Sequence, residues 1–168
     1  VVLPHNTPSL FARLDTMLAE GIISQTMYRA KNDTVTPRWG DKLRCFKWMG
    51  TNVELHIVDK HKLGYKLWLT TGPDDGNKCI MNLLSRDKSP LRFHDGYGWL
   101  TDYQSDFPIY KSKLSIPDEE TFFKMLRLPF TFPQWRGSTI YRSNWTQTMS
   151  YQQLQQYIVN QPRQGTLL

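Results

Sequence analysis

Cysteine is scarce: the 168 residues hold two, Cys45 and Cys79, 34 positions apart. This excludes a disulfide framework and the closely spaced thiols of a metal finger. Buried free thiols in a reducing, cytoplasmic setting are the expectation. Long apolar runs are missing too. None approaches the ~18 residues of a membrane-spanning helix, and mean hydropathy is −0.53. No secretory signal pattern is read, so the sequons at Asn32 and Asn144 are expected to be unused. No repeat of roughly 20–50 residues excludes solenoids and propellers. The phosphate-binding loop, the G-x-G-x-x-G turn and the nucleophile elbow are all absent. His5, His56, His61 and His94 are scattered, which argues against a zinc site.

What is present is aromatic and basic. The chain holds 22 aromatic residues (8 Phe, 6 Trp, 8 Tyr), too many for a disordered polymer. Its length suits one domain. Lys and Arg number 21 against 15 acids, a net charge of +6. Basic charge gathers over residues 29–47, with six Lys or Arg, two acids and interleaved Trp39, Phe46 and Trp48. That mixture suits a phosphate backbone and stacked bases. It equally suits a solvated strand face with aromatics turned inward.

Local signals outline the elements. Ser9, then Leu10, Leu14, Met17 and Leu18, then Gly21, predict a helix over 9–20. Residues 22–37 suggest a second short helix and a loop. Residues 43–49 and 53–58 read as a hairpin about Gly50-Thr51-Asn52. Residues 65–70 (YKLWLT) read as a strand, and 71–76 as a dense turn. Helical character follows from Asn77 to Leu84. Leu91–His94 and Gly98–Leu100 flank Asp95-Gly96 as a second hairpin. Pro117 and its acids open a helix ending at Leu128. After Gly137 the chain has seven Gln, two Arg and no acid. This reads as a tail, with a short helix over 151–159 docked on the body or on a protein partner.

Glu54 is the carboxylate that draws attention. It lies inside an apolar strand, Val53-Glu54-Leu55-His56-Ile57, sharing a face with His56. A rigid strand is a good mount for a metal ligand or general base, although an exposed edge position gives the same pattern. Downstream stands Thr71-Gly72-Pro73-Asp74-Asp75-Gly76-Asn77-Lys78. Then come the Pro117 helix and Pro133-Gln134-Trp135-Arg136. In this order the motifs resemble the palm-to-thumb junction of family X DNA polymerases and their nucleotidyltransferase relatives, including small phage-encoded ones. The resemblance covers residues 38–136.

The resemblance implies an α+β fold. Residues 1–70 stand for a palm-like mixed sheet with helices, 71–136 for a small thumb-like subdomain, and 137–168 for a tail without counterpart. It implies metal-dependent transfer of nucleotides to a nucleic-acid 3′ end, with Mg²⁺ or Mn²⁺, a nucleoside triphosphate, and DNA rather than RNA as partners. The alternative is a non-catalytic nucleic-acid-binding protein on a degenerate form of that fold. Glu54 stands for the third catalytic carboxylate and metal ligand. Thr71, Gly72, Pro73, Asp74, Asn77 and Lys78 stand for the nucleotide contacts. Arg38, Lys42, Arg44 and Lys47 are the expected nucleic-acid contacts. Pro73 replaces the family's serine, and a cis Gly72-Pro73 bond is expected. Glu54 replaces an aspartate, and Gly76 an aromatic residue. The family's paired D-x-D carboxylates are expected immediately before Val1, whose Val1-Val2-Leu3-Pro4 resembles the end of their strand.

Overall fold

The computed structural model describes residues 2–3 (by their backbone), 8–29, 32–104 and 106–160. The architecture is mixed α+β, and the chain divides into two compact units, Val1–Lys60 and His61–Leu168.

The first unit begins with β1 (Val2–Leu3) and α1 (Pro8–Ala19). Helical spacing in α1 places Phe11 and Leu14 in the core, with Leu10, Met17 and Leu18 beside them. The helix ends where Gly21 takes a φ of 73° and the Ile22 amide donates to the Met17 carbonyl over 2.9 Å. Such a left-handed terminus is where glycine costs least. β2 (Ile23–Gln25), β3 (Met27–Arg29) and β4 (Val35–Pro37) follow. The short helix expected over 22–37 is therefore replaced by strands, with β3 and β4 forming their own hairpin.

β5 (Leu43–Trp48) and β6 (Thr51–Ile57) form the anticipated hairpin, but its turn is Met49-Gly50 and not Gly50-Thr51-Asn52, since Thr51 and Asn52 pair with Trp48 and Lys47. Its two turn residues, Met49 and Gly50, have φ of 47° and 80°. Two left-handed residues make the turn whose twist matches paired strands. The sheet order is β1-β6-β5-β2. β1 runs parallel to β6, pairing Val2 with His56 and Leu3 with Ile57. α1 covers the face bearing Phe46, Leu55 and Ile57.

The second unit holds α2 (Leu63–Thr71), α3 (Asp74–Arg86), β7 (Leu91–His94), β8 (Tyr97–Gln104), β9 (Phe107–Leu114), α4 (Glu119–Met125), α5 (Ser138–Asn144) and α6 (Tyr151–Asn160). Residues 65–70 are thus helical, not a strand. The burial of Gly64, Tyr65 and Trp68 follows the helical repeat, whereas a strand would bury alternate residues. Trp68 is fully enclosed, stacks on Phe122 with centroids 4.5 Å apart, and donates Nε1–H to the Tyr141 hydroxyl at 3.2 Å. Tertiary burial of that ring outweighs the strand propensity of the segment.

The second hairpin is present, with Asp95 and Gly96 left-handed at its turn. β9, which the sequence reading did not anticipate, completes an antiparallel sheet β7-β8-β9. α4 starts one residue after Asp118, whose carboxylate accepts from the Thr121 amide at 2.7 Å. It stops before the expected Leu128, because Arg127 turns left-handed and the Leu128 amide donates to the Phe123 carbonyl. The Gln-rich segment carries two helices, α5 and α6. Tyr141 and Leu154 from them lie in the core.

Candidate functional site

Strand alternation decides what Glu54 faces. Across β5 and β6, Cys45 pairs with Glu54, Leu43 with His56, and Lys47 with Asn52. These residues share the sheet face opposite the one covered by α1. The Glu54 side chain is 61% exposed, and its Oε2 lies 3.4 Å from His56 Nε2. Cys45 is buried beneath them. Burial pushes its thiol pKa up and the Glu54 charge adds to the effect, while Arg38 acts against it.

The expected nucleic-acid contacts separate into different environments. Lys42 and Lys47 are exposed. Arg38 lies over the Tyr28 ring, 3.6 Å from its centroid. Arg44 is buried. Its Nη1 donates to Asp15 Oδ1 at 2.8 Å and to the Phe11 carbonyl at 3.3 Å. Its guanidinium lies 4.1 Å from the Phe11 centroid and 4.7 Å from that of Trp39. Trp39 Nε1–H donates to the same Asp15 oxygen. Asp15 is held below the ordinary carboxylate pKa, first by Trp39 and then by Arg44. Arg44 is a clamp of α1 on the sheet, withdrawn from any phosphate.

Residues 71–78 form the junction of α2 and α3. The expected cis Gly72-Pro73 bond is overturned: no described peptide bond is cis. Gly72 and Pro73 are both extended, with ψ of 159° and 149°. That backbone makes the turn while the Gly72 amide still donates to Trp68 and the Asn77 amide to Pro73. Thr71 Oγ1 donates back to the Leu67 carbonyl at 2.6 Å. Asn77 Nδ2 donates to the Leu69 carbonyl at 2.9 Å, and its buried Oδ1 has no hydrogen-bond partner. Asp74 and Lys78, one helical turn apart and exposed, pair with each other.

Arg136 holds this junction, a role the sequence reading missed. Its side chain is fully buried. Nη1 contacts Thr71 Oγ1 at 2.6 Å and Glu119 Oε1 at 2.8 Å, and Nε donates to the Thr131 carbonyl at 2.9 Å. Nη2 is buried without a partner. The only linear signal was an arginine closing P-x-x-R; its partners lie 65 and 17 residues away in sequence. His56 beside Glu54 was foreshadowed by their shared strand face.

A cavity of about 390 Å³ is lined by Cys79, Asn82, Leu83, Arg86 and Arg142, none of them an expected site residue. Among the described residues no group of three or more His, Cys, Asp or Glu could hold a metal ion. No described helix is long and apolar enough to cross a membrane. No family model matches the chain, and no curated protein matches it.

Proposed function

We propose that the chain carries the palm-like and thumb-like parts of a nucleotidyltransferase that extends a DNA end. The observation that carries this reading is the register of β1 against β6. Glu54 stands on the sheet face opposite α1. The parallel pairing of Val2 with His56 means that a continuation of β1 before Val1 would run alongside Glu54. Carboxylates on such a continuation would converge with Glu54 on one rigid surface.

Glu54 and His56 are two donors, too few for a two-metal centre, so a centre does not assemble from the described residues. On this reading Glu54 is one carboxylate of that centre, and the residues of the α2–α3 junction contact a nucleotide. There, Gly72 lets backbone approach a sugar. Arg136 fixes Thr71 at the edge of the junction.

The test reads the coding sequence upstream of Val1 and assays primer extension by the full-length protein with Mg²⁺ and deoxynucleotides. A D-x-D pair upstream, and a loss of about a hundredfold or more in Glu54→Gln, are expected. An upstream frame without carboxylates, or extension indifferent to Glu54→Gln, overturns the reading.

A second reading, a nucleic-acid-binding protein that keeps the fold without the chemistry, is favoured by one observation. Asn77 commits its amide to Leu69 while Asp74 and Lys78 satisfy each other. Absence of metal-dependent nucleotide binding, with nucleic-acid binding retained, would select it.

A further inference from the structure

The three-stranded sheet of the second unit has two unlike faces. Leu91, Leu100 and Leu114 enter the core from one. On the other, Arg92, Trp99 and Lys113 align across three strands, and His94 pairs with Tyr97. None of these outward positions is acidic. Tyr110 joins them: its ring stacks on His94 with centroids 5.2 Å apart and meets Trp99 edge-on at 5.6 Å.

The rings are held in place and flanked by cations. Trp99 Nε1–H donates to the His94 carbonyl at 3.0 Å, which orients the indole. Lys113 Nζ lies 4.4 Å from the Tyr97 centroid and 5.5 Å from that of Trp99. Lys62 Nζ covers Tyr97 at 3.8 Å, tied there by the Asp95 carbonyl. A row of oriented rings with cations at its margins matches what single-stranded nucleic acid presents. Its bases offer π faces and its backbone one negative charge per nucleotide. The sides of a duplex offer no base faces to such a surface.

We propose that this outward sheet face binds single-stranded nucleic acid, stacking bases on Trp99 and Tyr110 and placing phosphates against Lys113 and Arg92. The surface shares no residue with the strand of Glu54 or with the α2–α3 junction, and it does not rest on the transferase reading.

The test measures fluorescence anisotropy of a labelled single-stranded DNA oligonucleotide titrated with the full chain over a range of salt concentrations. Tyr110→Ala removes a ring that is 41% exposed and should weaken binding about tenfold, with the circular dichroism spectrum unchanged. Lys113→Gln should lower the slope of log affinity against log salt by about 0.7. Trp99→Phe, which keeps a ring, should retain binding. Primer extension by Glu54→Gln is read apart from this titration, so failure of the transfer chemistry and failure of this surface are distinguishable. Absence of binding, equal affinity for duplex, or losses confined to Arg86→Ala and Arg142→Ala at the cavity would each overturn the proposal.

Discussion

Among the described residues, seventeen buried apolar residues form the core of His61–Leu168, whereas six form that of Val1–Lys60. The larger core is built on rings. Trp68, Phe122, Phe93 and Tyr65 stack or tilt against one another within 4.5–6.1 Å. The smaller core is closed by a charge, Arg44 between Phe11 and Trp39. One unit is held by desolvated surface and close packing. The other depends on directed contacts. Glu54 on its sheet keeps a largely exposed side chain, since full burial without a partner would penalise its charge.

Substitutions can break this comparison, and the largest effect is expected at Trp68. Trp68→Ala should destabilise the second unit by about 3–5 kcal/mol, read by urea denaturation. An effect below 1 kcal/mol would show that the rings do not carry the core. Gly64→Ala comes next, at about 3 kcal/mol. A Cβ there would run into the backbone of Asp118, and neither backbone segment can yield cheaply. In the first unit, Arg44→Ala should cost about 2 kcal/mol. Hydrogen exchange should locate the loss in residues 43–57 and spare the second unit. Arg44→Lys should not restore it, since an ammonium lacks the planar fork that stacks and donates together.

The smallest effect sharpens the role of a surface pair. Asp87 is held below the ordinary carboxylate pKa by Arg86 first and by the Trp145 indole N–H second. A carboxyl depressed in the folded state contributes stability above its unfolded pKa, about 3.9. That contribution fades as pH falls through the lower folded value. Asp87→Asn should therefore flatten the acid limb of a stability profile below about pH 4 and change little at neutrality. An unchanged acid limb would remove Asp87 from the pH response.

Elements whose signals are local were legible in the sequence. α1 shows its apolar stripe and Gly21 its end. The β7–β8 hairpin shows turn residues, Asp95 and Gly96, that accept left-handed backbone, and the β5–β6 hairpin shows one, Gly50. Residues 65–70 misled because Tyr, Leu and Trp are common in strands, and only Trp68 entering a distant core makes them helical. β9 has no strong alternation: its burial runs from exposed Phe107 to buried Leu114. The basic stretch over 29–47 looked uniform, yet Arg44 is enclosed while Lys42 and Lys47 are not. Charge in a sequence does not say which side of a strand will be covered.

The sequence by itself determined the α+β character, the first helix, two hairpins, and the strand that carries Glu54 with His56 on its face. Spacing and turn chemistry act over a few residues, so they are written in the chain. Tertiary structure decided the rest. It turned residues 65–70 into α2, drew Tyr141 and Leu154 into the core, and buried Arg44 and Arg136. It also aligned Arg92, Trp99 and Lys113 on one face. Each of these depends on partners many residues away, whose burial or charge outweighs the local preference.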